Sequence, residues 1–337
     1  MPPQIELLLP QGKGKKNSKK PLLMKTKIPL CLALLISGIV GLPSCESSTF
    51  NPFTTTKPPA TLIQQTQDDA FRQYWYAGQA ELNSYQLEIK RYGEKRQGQA
   101  LMIFVTEDFD PLRQVKIESA QETENGKISV LKRNTIWRFV TGIYDYSLMN
   151  SVFTPVSTEK QEPALKLTLS TQDWCGQSFL QFNREEKGYR EKRFSYFGDV
   201  GDREKLLQEK NLLLEDDLFN LLRMGPNVLP EGEYNFIPGS FFLRLSHEKE
   251  SPRAARLKYL SGEANPKCVL EYLHLPRTLT IDFEANFPYR ILGWTEENDK
   301  ETLVKASLIK SARRPYWKQN KNEFQKLRDS LKLNFFK

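Results

Sequence analysis

Apolar and polar side chains alternate over most of this chain, and a period of two admits little besides β-sheet. Tyr85, Leu87 and Ile89 alternate with Gln86, Glu88 and Lys90. Leu165, Leu167 and Leu169 alternate with Lys166, Thr168 and Ser170, and Leu279, Ile281, Phe283 and Ala285 with Thr280, Asp282 and Glu284. Val115 and Ile117 on one side of Asn125-Gly126, and Ile128 and Val130 on the other, predict a hairpin, because that dipeptide suits a tight turn. Ala100 to Val105 is continuously apolar and predicts a strand buried on both faces. Phe179 to Phe182 and Tyr189 to Phe197 flank a turn at Lys187-Gly188. Tyr289 to Trp294 and Leu303 to Ile309 flank another near Asn298-Asp299, and Phe241, Leu243 and Leu245 read as a further strand.

Helical spacing is confined to three segments. Leu62 to Leu82 places Phe71, Trp75 and Leu82 on one side. Asp202 to Met224 carries Leu207, Leu214, Leu218, Leu221 and Leu222 and is closed by Gly225-Pro226. Phe324 to Leu331 predicts a short C-terminal helix. Strands joined by turns, without regular alternation of strand and helix, argue against a parallel sheet. The expected fold is mainly β (α+β): a curved antiparallel sheet or open β-barrel, with the 202–224 helix packed on it and short helices at the termini.

The N-terminus bears on compartment. Lys25 and Lys27 precede an apolar run from Ile28 to Leu42, and Leu42-Pro43-Ser44-Cys45 closes it. Positive, apolar, small residue is the order of a secretory signal, and about fifteen residues is short for a bilayer span of roughly twenty. The closing four residues resemble the lipobox of bacterial lipoproteins. That resemblance implies cleavage between Ser44 and Cys45, acylation of Cys45 and attachment to a membrane through the lipid. Several acyl chains anchor stably, at ~0.8 kcal/mol per buried methylene. Residues 1–23 lack signal character and read as an extension upstream of the true start at Met24; 24–44 is the signal peptide. Residues 45–60, rich in Ser, Thr and Pro, form a tether unable to bury a core, and 61–337 forms a single β-rich domain.

Removal of the signal changes the charge argument. Residues 1–45 hold seven lysines and one glutamate, so +6 of the net +8 leaves with them or lies at the anchor, and the mature part is near +2. No nucleic-acid partner is expected on that balance. Of four cysteines, Cys31 lies in the signal and Cys45 at the anchor. Cys175 and Cys268 remain, and in an oxidising compartment they either pair or stand as two separate buried thiols.

Motifs for chemistry are sparse. His247-Glu248 begins like a zinc-protease helix, but position 251 is serine and the other histidine is His274, so no metal or other cofactor is expected. Ser251-Pro252-Arg253 and Ser311-Ala312-Arg313-Arg314 echo the phosphate-holding Ser-x-Arg-Arg of Maf-type pyrophosphatases (septum formation inhibitors). Neither lies at the N-terminus or opens an α/β unit, so that assignment is rejected. Asp173-Trp174-Cys175-Gly176 lacks the second cysteine of a redox motif. Asp282 and Glu284 share one face of a strand, which reads first as a solvent face. An envelope hydrolase of glycan or lipid would require them to converge with Asp145 and Asp173.

Aromatic residues crowd 137–153, 174–182 and 294–317. Core packing explains most of them. A concave site for a lipid or glycan is the alternative, with Tyr144, Tyr146 and Trp174 as candidate lining residues. Four runs, Tyr74-Trp75-Tyr76-Ala77-Gly78, Thr141-Gly142-Ile143-Tyr144-Asp145-Tyr146-Ser147, Gln172-Asp173-Trp174-Cys175-Gly176-Gln177 and Ile291-Leu292-Gly293-Trp294, together with the signal, make the chain similar to uncharacterised lipoproteins of bacteroidete-type bacteria. The resemblance implies no activity. The expectation is an envelope protein on the periplasmic side of the outer membrane, with a non-enzymatic binding or structural role.

Overall fold

The computed structural model describes residues 69–119, 126–156, 162–198, 201–209, 211–226, 229–261 and 265–333. Expectations for the 1–23 extension, the signal, Ser44, Cys45 and the tether lie outside the described residues. Sixteen strands form one sheet: β1 (Ala80–Arg91), β2 (Glu94–Asp110), β3 (Val115–Lys116), β4 (Ile128–Thr141), β5 (Tyr144–Pro155), β6 (Lys166–Asp173), β7 (Gly176–Glu185), β8 (Gly188–Ser195), β9 (Arg203–Gln208), β10 (Leu212–Leu214), β11 (Gly232–Ile237), β12 (Arg253–Leu260), β13 (Lys267–Tyr272), β14 (Thr278–Phe283), β15 (Ile291–Glu297) and β16 (Thr302–Arg314). The helices are α1 (Asp69–Trp75), α2 (Leu218–Met224), α3 (Ser240–Ser246) and α4 (Leu327–Ser330), and Glu215–Asp217 is a single 3₁₀ turn.

Fifteen strands follow one another in the order β10 to β16, then β1, β2 and β4 to β9, with short β3 beside β2. The first and last long strands therefore pair, from Ala80↔Arg314 to Ile89↔Val304. The two ends of the path, β9 and β10, are consecutive in sequence, so the sheet curls into a nearly closed barrel. Neighbours are antiparallel except β10 and β11. This is the mainly β fold that the alternation predicts. Antiparallel order puts the β1–β2, β4–β5 and β6–β7 turns, the β8–β9 connection and the β11–β12 connection at one end, here termed the tip end.

The alternation holds where one face meets the core. Along β1, Tyr85, Leu87 and Ile89 are buried while Gln86 is exposed. The first half of β1 is buried on both faces, because Leu331 and Leu333 of the C-terminal segment pack with Ala80, Leu82, Ile103 and Leu101. Inside the barrel, α2 has all seven residues buried, and α3 buries Ser240, Phe241 and Leu243. A helix buried all round is one enclosed by structure, here by the curled sheet.

Four helix and strand expectations need correction. Val115–Lys116 does not form a hairpin with the strand that starts at Ile128, because both segments pair with β2, Lys116 and Ile128 each opposite Phe109. Leu62 to Leu82 is helical only over Asp69–Trp75 among the described residues, and Ala80 already belongs to β1. Asp202 to Met224 is not one helix. Its first part is β9, because the free edge of β8 pairs with it from Gly188↔Gln208 to Arg193↔Arg203, and Arg203 and Lys205 reach the buried Glu191 of β8. The next part is β10, alongside β11, and only Leu218–Met224 is α-helical. Phe241, Leu243 and Leu245 lie on helix α3 rather than on a strand. There the Ser240 N–H donates to the Asp216 carboxylate at 2.7 Å, so a side chain from elsewhere fills the first turn's donor need. The cysteines are corrected too: Cys175 is exposed on the β6–β7 turn, Cys268 is buried on β13, and both thiols are free. Burial pushes the Cys268 thiol up to about 12.

Candidate functional site

Carboxylates do converge in this protein, though not those singled out from the sequence. Glu215, Asp216 and Asp217 follow β10 directly, and all three are buried inside the barrel. Glu215 receives both guanidinium arms of Arg277, which also donates to Glu296 at 2.7 Å, and the Tyr272 hydroxyl donates to Glu215 at 2.5 Å. Asp216 lies 3.7 Å from Arg133 and accepts from Asn150 and Ser240. Asp217 accepts from Thr154 at 2.5 Å and from the Ala164 N–H at 2.8 Å. Gly239 is required beside this cluster, since a Cβ there would stand 2.5 Å from Glu215 Oε1. Burial raises the Asp216 and Glu296 carboxyls against the pull of their arginines. The void among these groups measures about 30 Å³, between Trp137, Trp294, Phe219 and Phe241. It has room for water and little else. Each carboxylate is answered by hydrogen bonds, and the cluster locks the Glu215–Met224 segment and α3 into the barrel.

The four carboxylates of the hydrolase reading have separate partners. Asp282 pairs with Lys267 at 3.2 Å, and Glu284 with Arg290 at 2.9 Å. Asp145 accepts from the Trp174 indole at 3.2 Å. Asp173 accepts the N–H groups of Cys175 and Gly176, shaping the β6–β7 turn.

The three candidate aromatic residues meet at the tip end in different states. Tyr146 is buried, stacks on Phe139 with centroids 4.8 Å apart, and shares a 2.7 Å hydroxyl contact with Tyr92. Burial raises its hydroxyl pKa. Tyr144 is half-buried, 5.8 Å from Tyr146 and 6.4 Å from Trp174. Trp174 is 67% exposed on its turn. Tyr146 thus belongs to the packing, while Tyr144 and Trp174 stand at its rim.

Two hollows flank β6–β8, one on each face. Burial fixes which residues point where. Leu167, Leu169 and Thr171 are buried while Ser170 and Gln172 are exposed, and Leu180 is buried while Gln177 is exposed. On β8, Tyr189 and Glu191 are buried while Phe194 is exposed. The outward residues form cross-strand rows: Ser170, Phe179 and Phe194 in one, Gln172 and Gln177 in the next, with Tyr196 continuing it through its N–H to the Gln177 carbonyl at 3.3 Å. These rows line an open groove of about 510 Å³ whose one charged residue is Asp202. Tyr196 lies close against Gly176, where a Cβ would come within 2.7 Å of its ring. Sequence reasoning did not single out Phe194, Tyr196, Gln172 or Gln177. The available signal is phase: Phe194 and Tyr196 keep step with Arg190 and Lys192, opposite Tyr189. Glu191 and Arg193 in the inward phase blur it.

The inner hollow, about 170 Å³, lies between α3 with its following loop and β6–β9. Its floor is Leu169, Leu180 and Leu243, and exposed His247 and Lys249 stand at its mouth. Among the described residues no group of acidic, histidine or cysteine side chains has the arrangement of a metal site.

No known protein-family profile matches the chain, and no curated protein matches it. Among solved structures, the crystal structure of a β-barrel-like protein of the domain of unknown function DUF1849 from Brucella abortus is similar over 70% of this chain and 98% of its own, at 8% identity and a TM-score of 0.42.

Proposed function

We propose that the chain is a lipid-anchored envelope protein that binds a glycan, without transforming it, on the outer face of β6–β8. The observation that carries this reading is the groove itself, where exposed rings stand beside amides and hydroxyls on a nearly uncharged surface. Tyr196 and Phe194 are 76% and 55% exposed. A sugar ring offers apolar C–H faces and hydroxyls that both donate and accept. Aromatic faces suit the first, and glutamine amides, which also donate and accept, suit the second. An acyl chain would strip Gln172 and Gln177 of water and return no hydrogen bond. Exposed apolar groups gathered in one patch mark interaction surfaces more often than isolated ones do.

The lipid anchor rests on the order of features ending at Cys45, and the 45–60 tether gives the barrel reach from the outer membrane toward periplasmic glycan. The non-enzymatic part rests on the separate partners of Asp145, Asp173, Asp282 and Glu284 and on the enclosure of the interior carboxylates. Affinity electrophoresis of the full chain through gels containing envelope polysaccharide or soluble peptidoglycan fragments tests the proposal. Retardation by one of these, reduced at least tenfold in Tyr196→Ala and Phe194→Ala, supports it. Retardation by none rejects it.

A further inference from the structure

The inner hollow combines features that the glycan reading does not use. Its floor is aliphatic, while its walls carry Arg193, Arg203, Arg244 and Lys249 against Glu248 and Glu250. Glu250 is 2% exposed and takes both Arg193 and Arg203, while Arg203 also holds Glu191. Those two guanidinium groups are committed to protein carboxylates. Arg244 differs. Its Nε donates to Thr171 Oγ1 at 3.2 Å and its plane lies over Phe197 at 4.8 Å, but its ion pair with Asp173 is a long 3.8 Å. Asp173 Oδ1 holds the N–H groups of its own turn, and Oδ2 faces Arg244 at that longer distance. With a side chain 15% exposed on the wall of the hollow, Arg244 is less fully engaged by protein carboxylates than Arg193 and Arg203.

We propose that this hollow binds an aliphatic carboxylate, its head on Arg244 and its chain on Leu169, Leu180 and Leu243. A planar guanidinium matches a carboxylate edge to edge with two parallel hydrogen bonds. The charge balance favours an anion. Counting Glu191, Asp173, Lys205 and Arg253, which touch these groups or their partners, six cationic groups face four carboxylates, an excess that accommodates the charge of one carboxylate ligand. At about 170 Å³ the space is far beyond the roughly 10–15 Å³ one water needs, yet below the roughly 300–1,000 Å³ of larger ligand sites. It suits a short-chain acid, or the carboxyl end of a longer fatty acid whose tail leaves past His247 and Lys249.

The test is equilibrium dialysis of the full-length protein with labelled hexanoate, in competition with hexanol, hexylamine and dodecanoate. The expected result is saturable hexanoate binding, at least tenfold tighter than hexanol or hexylamine. Arg244→Gln, with an unchanged melting temperature, should bind hexanoate at least tenfold more weakly and hexanol as the parent does. Tighter binding of dodecanoate identifies the long-chain source, and equal or weaker binding the short-chain one. Absence of saturable hexanoate binding, or hexanol binding as well as hexanoate, overturns the proposal on the unmodified protein, whether or not the variant folds. Native-like Arg244→Gln that binds hexanoate unchanged overturns it equally. The outer groove has no part in these outcomes.

Discussion

Arg223 on α2 and Glu81 on β1 meet in a two-pronged ion pair, Nη1 to Oε1 and Nη2 to Oε2 both at 2.6 Å, with each side chain at most 1% exposed. Tyr74 and Asn83 complete the shell around Glu81. Burial alone would raise the Glu81 carboxyl, but the guanidinium and these hydrogen bonds outweigh it and hold the carboxyl below its ordinary value. Arg223→Met leaves Glu81 buried without its counter-charge and should cost about 3–5 kcal/mol. Adding Glu81→Met should recover much of that loss. Urea denaturation of the two variants checks the pair.

Asp217 contributes with the opposite sign. Burial raises its carboxyl to about 6, against the pull of Thr154, the Ala164 N–H and Arg133. A folded-state value above the unfolded one means that the native state takes up protons as pH falls. Above about 6 the buried charge destabilises, and the penalty is relieved between roughly 6 and 4. Relative to Asp217→Asn, the parent should gain about 1 kcal/mol of stability between pH 8 and pH 5. Denaturation curves at the two pH values measure the difference, and a gain in the reverse direction contradicts the assignment.

Tyr146 and Tyr144 should separate in a thermal melt. Tyr146 is stacked and buried, so Tyr146→Ala should cost about 3–5 kcal/mol, within the range of core aromatic truncations. Tyr144 is half-buried at the rim, and its truncation should cost about 1 kcal/mol.

Acylation should depend on Cys45. Metabolic labelling with a fatty acid is expected to mark the parent and not Cys45→Ala, and equal labelling of both contradicts the anchor.

Residues with short-range consequences were legible in the sequence. Tyr85, Leu87 and Ile89 announce β1 because one face of that strand meets the core and the other meets water. The stretch from Asp202 to Met224 misleads because its leucines satisfy a helical spacing, while the free edge of β8 and the adjacent β11 claim the first half as strand. Phe241, Leu243 and Leu245 mislead in the other direction, since their alternation gives way to a one-sided burial inside the barrel. The interior charges leave no local mark: Glu215 becomes a core residue only because Arg277, on the far side of α2 and α3 in sequence, arrives beside it. The groove is hidden for a related reason. Tyr196 joins Gln172 and Gln177 through its N–H to the Gln177 carbonyl, across a separation in sequence that no short window spans.

Gly176→Ala gives the most direct test of the glycan platform, because it alters no lining side chain chemically and presses chiefly on the seat of Tyr196. A Cβ at that position would press on the Tyr196 ring. The measurement is the affinity of full-length parent and Gly176→Ala for whichever envelope glycan the parent retains, with Tyr196→Ala alongside and melting temperatures for all three. The account predicts that both variants bind at least tenfold more weakly while folding as the parent does. Unchanged glycan affinity in a folded Gly176→Ala or a folded Tyr196→Ala would contradict it.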